Sequence, residues 1–166
     1  RQKIYSITGL PAHSNYSLNK ILWSRENIKE YPDDAKWLCM AEYIVYKLTG
    51  IRKAEFSLAS RTMALNIKSK KWSEDLLNDV GLENSIFSEL AESGETTGTI
   101  SRETAEKTGL SETTEVSAAG HDHMCGSVAA ELYDENSILN STGTTEGLLF
   151  LKREPGLGND FFNSNF

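Results

Sequence analysis

The chain is poor in cysteine, in proline and in long apolar runs. Its two cysteines, Cys39 and Cys125, lie far apart among 166 residues, which excludes a disulfide framework and a cysteine-rich zinc cluster. No apolar stretch approaches the twenty residues of a transmembrane helix, and the mean hydropathy is -0.42. There are three prolines, and no internal repeat or low-complexity stretch occurs.

Basic charge is also scarce. Lys and Arg number 17 against 24 Asp and Glu, which gives a formal charge of -7. Such an acidic chain argues against nucleic acid and anionic membranes as partners. The apolar fraction of 39% and the charged fraction of 25% fit a globular chain that buries a core. The cysteine usage favours a reducing compartment, so the predicted location is the cytoplasm.

Apolar spacing predicts mainly helical structure in the first hundred residues. Helices are predicted over 17–29 and 40–48, from Ser73 to Gly81, and between Ser101 and Gly109. Serine at the start and glycine after the end are typical helix boundaries. A short strand is predicted over 63–67.

The pattern changes after residue 115. Val116–Ala119 is short and apolar and ends at Gly120, which predicts a buried strand that runs into a turn. A helix is predicted over 123–131. Strands over 137–140 and 147–151, joined by a Gly/Thr-rich turn, predict a β-hairpin. The fold class is therefore α/β or α+β, with loops at strand ends as the natural place for a site.

Asp122 is the first candidate for chemistry. It follows the predicted buried strand at the start of the next helix, where a helix N-terminus stabilises a carboxylate that could act as a base. The alternative, that Asp122 only caps the helix, stays open, and spacing alone favours it.

His121 and His123 could share a metal ion, because side chains two apart in a strand project to one face. This pair, with Asp122, defines a rival hypothesis of a metal-dependent hydrolase. Only one further histidine, His13, occurs in the chain. Because no acidic cluster adjoins the pair, no metal site is predicted.

A second candidate is the turn Ser141–Thr145. Its glycine and hydroxyl side chains would let backbone N–H groups approach phosphate oxygens. An ordinary hairpin turn is the alternative, and the turn alone favours it. However, this turn lies about twenty residues after Asp122, and the two turns follow the ends of successive predicted strands. A base near a phosphate cradle is an arrangement for phosphoryl transfer.

Taken together, the motifs resemble the FGGY carbohydrate kinases, a family that includes xylulokinase, gluconokinase, glycerol kinase and fuculokinase. The similarity rests on seven blocks in the right order rather than on any single one. The blocks are Ser17–Trp23, Tyr43–Gly50, Ser57–Thr62, Trp72–Leu77, Ser93–Gly98, Gly120–Asp122 and Ser141–Thr145.

The resemblance implies an actin-like, ribonuclease-H-like ATPase fold. Residues 1–132 would form the later part of the first domain, and residues 133–166 would open the second. Asp122 would be the general base, with His123 and Asn15 as sugar contacts. Gly143 and Thr144 would contact the ATP phosphates.

The resemblance also implies ATP-dependent phosphorylation of a sugar hydroxyl, with Mg²⁺ as cofactor. The sugar would be a ketose such as xylulose or an acid such as gluconate. Asn15 and Ser24 depart from the first block's usual residue classes. The family's N-terminal phosphate loop and C-terminal adenine region are missing, so the chain is expected to be an inactive segment of a longer kinase. An inactive sugar-binding or regulatory protein is the alternative, and homo-oligomerisation is left open.

Overall fold

A computed structural model of the chain describes residues 1–144, 146–158 and 162–163. The α-helices are α1 Gln2–Thr8, α2 Ser17–Asn27, α3 Met40–Thr49, α4 Phe56–Ser60, α5 Glu74–Asp79, α6 Arg102–Thr108 and α7 Asp122–Ala129, with a 3-10 turn at Asn84–Ile86. The strands are β1 Lys53–Glu55, β2 Leu65–Asn66, β3 Lys71–Trp72, β4 Glu89–Ala91, β5 Thr96–Thr99, β6 Glu115–Ser117, β7 Ile138–Thr142 and β8 Glu146–Phe150.

The predicted helices are confirmed as α2, α3, α5, α6 and α7. Ser73 and Ser101 are N-caps whose side chains accept hydrogen bonds from the backbone N–H groups of Leu76 and Thr104. Such bonds satisfy N–H groups that have no partner within the helix. Gly109 ends α6, as predicted.

The core lies where α2 packs on the segment between β2 and β4. Its buried side chains include Leu10, Leu18, Ile21, Met63, Leu77 and Phe87. Trp72 stacks on Phe87 with 4.3 Å between ring centroids, and its indole N–H donates to the Ser88 carbonyl oxygen. Ile21 is fully buried, which explains why the spacing of apolar residues predicted α2 correctly.

The strands of the described residues form four two-stranded sheets. β1 and β4 pair in parallel, whereas β2 with β3, β5 with β6 and β7 with β8 pair antiparallel. The expectation of mainly helical structure before residue 100 therefore missed β1, β3, β4 and β5. These strands have two to four residues each, which is too short for a periodic signal.

The strand predicted at Val116–Ala119 exists, but the prediction that it is buried was wrong. β6 covers Glu115–Ser117, and only Val116 among its residues is even partly buried. Ala118, directly after the strand, is buried. The reason is that β6 is one strand of a two-stranded sheet, in which it pairs with β5. It is therefore an edge strand and not an interior one. The hairpin prediction is confirmed by β7 and β8, which pair from Ile138 with Phe150 to Thr142 with Glu146.

Helices in the described part of the chain are short. None of them has both the length and the apolar composition needed to cross a lipid bilayer.

Candidate active site

The candidate site is built around Glu55, the last residue of β1. This carboxylate is only 1% exposed. It caps α4 by accepting the backbone N–H groups of Ser57 and Leu58 at 2.9 and 3.1 Å. It also accepts the hydroxyl groups of Ser57 at 2.5 Å and Ser93 at 2.6 Å. Four donors therefore surround one buried acid.

These donors decide the charge of Glu55. Burial raises the pKa of the carboxyl group, since it disfavours the ionised form. The hydrogen bonds from Ser57, Ser93 and Leu58 act in the opposite direction and outweigh burial, so the pKa lies below its ordinary value of 4.5. Glu55 is therefore a carboxylate at neutral pH, and its hydroxyl partners must act as donors.

The turn that carries Asp122 is held against this carboxylate. The backbone N–H of His121 donates to Ser57 Oγ at 2.7 Å, and the N–H of Gly94 donates to the Ala118 carbonyl oxygen at 3.0 Å. Gly120 has φ of 130°, a conformation that residues with a Cβ rarely adopt. A Cβ at this position would also stand 2.8 Å from Ser57 Oγ. Glycine is therefore required by both backbone angle and space.

Asp122 is the first residue of α7, and His121 is its N-cap. The Asp122 side chain is 85% exposed. Its Oδ1 accepts the His123 backbone N–H at 2.8 Å and lies 2.9 Å from His121 Nδ1. When Nδ1 is protonated it donates to Asp122, and otherwise it accepts the His123 N–H, 3.3 Å away. The carboxylate thus has a fixed backbone and an open face, as a base for an external hydroxyl requires.

His121 and His123 lie side by side, with ring centroids 5.6 Å apart. Within residues 1–144, 146–158 and 162–163, no group of three or more His, Cys, Asp or Glu side chains could hold a metal ion. The rival hypothesis of a metal-dependent hydrolase therefore gains no support from this geometry. His123 itself is exposed next to Asp122.

Asn15 lies in the loop before α2 and is exposed. Its backbone N–H donates to His13 Nδ1 at 3.3 Å. The start of α2, directly after this loop, is tied to the segment that follows α4, because the Leu18 N–H donates to the Thr62 carbonyl oxygen at 2.9 Å. In addition, the Arg61 guanidinium lies 5.2 Å from the centre of the Tyr16 ring.

Helix α4 therefore links the two predicted sugar-contacting segments. Ser57, near its start, holds the Asp122 turn, while Arg61 and Thr62, directly after its end, contact Tyr16 and Leu18, which follow Asn15. Sequence reasoning did not identify the roles of Glu55 and Ser57. An acid two residues before a serine at a helix start was the available signal.

Gly143 and Thr144 are exposed in the turn between β7 and β8, and Thr145 lies outside the described residues. The turn is open to a ligand, which is compatible with contacts to phosphate. Near it, Asn140 Nδ2 donates to Glu146 Oε1 at 2.8 Å. In the described part of the chain, no hydrogen bond or ion pair joins this turn to the Asp122 turn.

A second buried acid, Glu42, lies in the first turn of α3, where its Oε2 accepts the Cys39 N–H at 2.7 Å. Burial, and to a smaller extent the negative charge of Glu55, raise the pKa of Glu42 from 4.5 to about 7, although the hydrogen bond from the Cys39 N–H acts to lower it. The pKa of Glu42 is higher in the folded state than in the unfolded state. Its contribution to the free energy of unfolding is therefore fully present below pH 4.5 and is lost as the pH rises through 7.

We expect Glu42→Gln to flatten the dependence of stability on pH. From pH 4.5 to 8 the wild type should lose about 3 kcal/mol of unfolding free energy through this group. The glutamine keeps an acceptor for the Cys39 N–H but carries no charge. Urea unfolding at pH 5 and pH 8 measures the difference, with exposed Glu112→Gln as control. Parallel profiles for wild type and Glu42→Gln would contradict the assignment.

Comparison of the amino-acid sequence with known protein families identifies the class to which the chain belongs. Residues 1–129 match the profile described as the FGGY family of carbohydrate kinases, N-terminal domain. The chain therefore belongs to the FGGY family of carbohydrate kinases, and the resemblance predicted from its motifs is confirmed.

Among curated relatives, the xylulose kinase of Bacillus subtilis is 34% identical over 140 residues, which cover 84% of this chain and 28% of the relative. The L-fuculokinase of Escherichia coli is 30% identical over 149 residues, which cover 89% of this chain and 31% of the relative. The chain therefore spans less than a third of the length of these relatives.

Solved structures show the same relationship. The gluconate kinase from Lactobacillus acidophilus superposes with a TM-score of 0.81 at 26% identity, over 89% of this chain and 30% of that chain. The ligand-bound xylulose kinase from the same organism gives 0.82 at 25% identity, over 94% of this chain and 33% of that chain. The predicted α/β, actin-like fold class is thereby confirmed.

Proposed function

We propose that the full-length protein containing this chain is an ATP-dependent carbohydrate kinase in which Asp122 is the general base. One observation carries the proposal: an exposed carboxylate stands at the start of α7 on a turn fixed by a buried hydrogen-bond network. Family membership supports the reaction type. The xylulose, fuculose and gluconate kinases among the relatives support sugars as the substrate class.

In the proposed reaction, Asp122 accepts the proton of a sugar hydroxyl. The hydroxyl oxygen then attacks the γ-phosphorus of ATP, the bond from that phosphorus to the β,γ-bridging oxygen breaks, and ADP leaves. Proton transfer of this kind typically contributes 10²–10⁴-fold to a rate. Positioning and charge stabilisation supply most of the remainder in phosphoryl transfer.

Other residues take supporting roles in this proposal. His123, beside the base, and Asn15, in the loop linked to it through α4, contact the sugar. Gly143 and Thr144 contact the ATP phosphates, and their exposure in the hairpin turn supports this role. Magnesium, the expected cofactor, would neutralise phosphate charge. We assign no residue of this chain to it.

We also propose the domain division and the location. Residues 1–132 belong to the first domain of the kinase, and the match of the N-terminal family profile to residues 1–129 supports this division. Residues 133–166 would begin the second domain. A cytoplasmic location is supported by the free thiols of Cys39 and Cys125.

The test is ADP release by the full-length protein against a panel of sugars. The panel contains pentuloses, hexuloses, aldonates and glycerol, each at equal concentration with ATP and magnesium. We expect release that depends on a ketose or a sugar acid, at least tenfold above the rate without sugar. Folded protein with no sugar-stimulated release, yet with sugar binding measured by calorimetry, would instead indicate a binding or regulatory protein.

A further inference from the structure

The buried network around Glu55 joins three segments that are distant in sequence. Ser93 reaches Glu55 across 38 residues, and His121 reaches Ser57 across 64 residues. Capping α4 needs only the bonds from the Ser57 and Leu58 N–H groups. The two hydroxyl bonds are additional, and the proposed reaction does not use them.

The direction of these hydrogen bonds follows from charge. Glu55 is ionised, so it only accepts, and the Ser57 hydroxyl proton must point to Glu55 Oε2. The lone pairs of Ser57 Oγ are then left for the His121 N–H at 2.7 Å. A hydroxyl in this arrangement cannot rotate to donate elsewhere without losing a charge-assisted bond.

This bond fixes the residue immediately before Asp122. Consecutive Cα atoms are 3.8 Å apart across a trans peptide, so a shift of the His121 N–H moves Asp122 directly. His121 is also the N-cap of α7, so the same bond sets where the helix starts.

We propose that Glu55 and Ser57 are positioning residues that hold Asp122 in its reactive place through the His121 N–H. The inference rests on the proposed function of Asp122. Glu55 orients the Ser57 hydroxyl, Ser57 anchors His121, and the start of α7 aims the Asp122 carboxylate. Neither residue takes part in proton transfer.

The deciding variant is Ser57→Ala in the full-length kinase. It removes the anchor of His121 but leaves the backbone bonds that cap α4. We expect kcat to fall about tenfold, since small misplacement of a catalytic group is costly, while KM for ATP stays unchanged. Ser57→Thr restores the hydroxyl and should recover most of the lost turnover.

Ser60→Ala is the matched control. Ser60 lies on the same helix, but its hydroxyl donates to the Ser57 carbonyl oxygen and does not reach the Asp122 turn. Turnover and unfolding midpoint should stay near wild type in this variant. If Ser57→Ala and Ser60→Ala lower kcat equally, or if Ser57→Thr does not recover turnover, the positioning role is overturned.

A second readout is independent of catalysis. Amide hydrogen exchange at His121, followed by mass spectrometry or NMR, should be faster in Ser57→Ala and unchanged in Ser60→Ala, because only the former loses the acceptor. Unchanged exchange in Ser57→Ala overturns the positioning contact. Asp122→Asn, measured in parallel, tests the proposed general base separately from the contact between Ser57 and His121. Wild-type turnover in Asp122→Asn overturns the proposed base, whereas exchange at His121 reports on the Ser57 contact alone.

Discussion

Asp122→Asn in the full-length kinase is expected to lower kcat at least about a hundredfold, because it removes the proposed general base. The asparagine has nearly the same shape, and the Asp122 side chain is exposed. Folding and sugar affinity should therefore change little. Steady-state ADP release, with the sugar and ATP varied in turn, separates the loss in kcat from changes in KM.

Asp34→Asn is the matched control for this experiment. Asp34 is an exposed aspartate in the loop between α2 and α3, so it undergoes the same chemical change away from the site. We expect its kcat to equal that of the wild type. Near wild-type turnover in Asp122→Asn would exclude Asp122 as the base and favour a role as a helix cap only.

The second large effect is expected from Gly120→Ala. A Cβ at this position would stand 2.8 Å from Ser57 Oγ and 3.2 Å from Glu55 Oε2, and the φ of 130° is unfavourable for alanine. Either the turn or the Ser57 hydroxyl must therefore shift, which disturbs the contact between Ser57 and the His121 N–H and should lower kcat on the order of a hundredfold. The strain should also cost about 1–3 kcal/mol of stability. Turnover and urea unfolding measure the two effects.

Gly109→Ala separates backbone strain from the clash at the site. Gly109 also has a positive φ, 77°, but a Cβ there meets no atom within 4 Å. It lies at the end of α6, so its replacement should cost about 1 kcal/mol and leave turnover unchanged. If Gly120→Ala and Gly109→Ala reduce turnover equally, the close approach of Gly120 to Ser57 has no catalytic importance.

The helices could be predicted because their signals are local. The spacing of Leu18, Ile21 and Leu22 in α2, and the serine caps Ser73 and Ser101, act within a few residues of the chain. Of the short strands, β2 and β6 fall on predicted segments. β1 and β4 could not be predicted, since they pair across more than thirty residues and each has only three residues. The prediction that the strand at Val116–Ala119 is buried was wrong, because burial depends on which other elements pack against a strand.

By itself, the sequence determined the family, the fold class, and the candidates Asp122, His123, Asn15, Gly143 and Thr144, whose roles stay predictions. Short motifs in fixed order carry that information. Only the tertiary structure decided that Glu55 and Ser57 support the Asp122 turn. Their bonds to Ser93 and His121 span 38 and 64 residues, and nothing in a local pattern specifies which distant groups meet at a buried carboxylate.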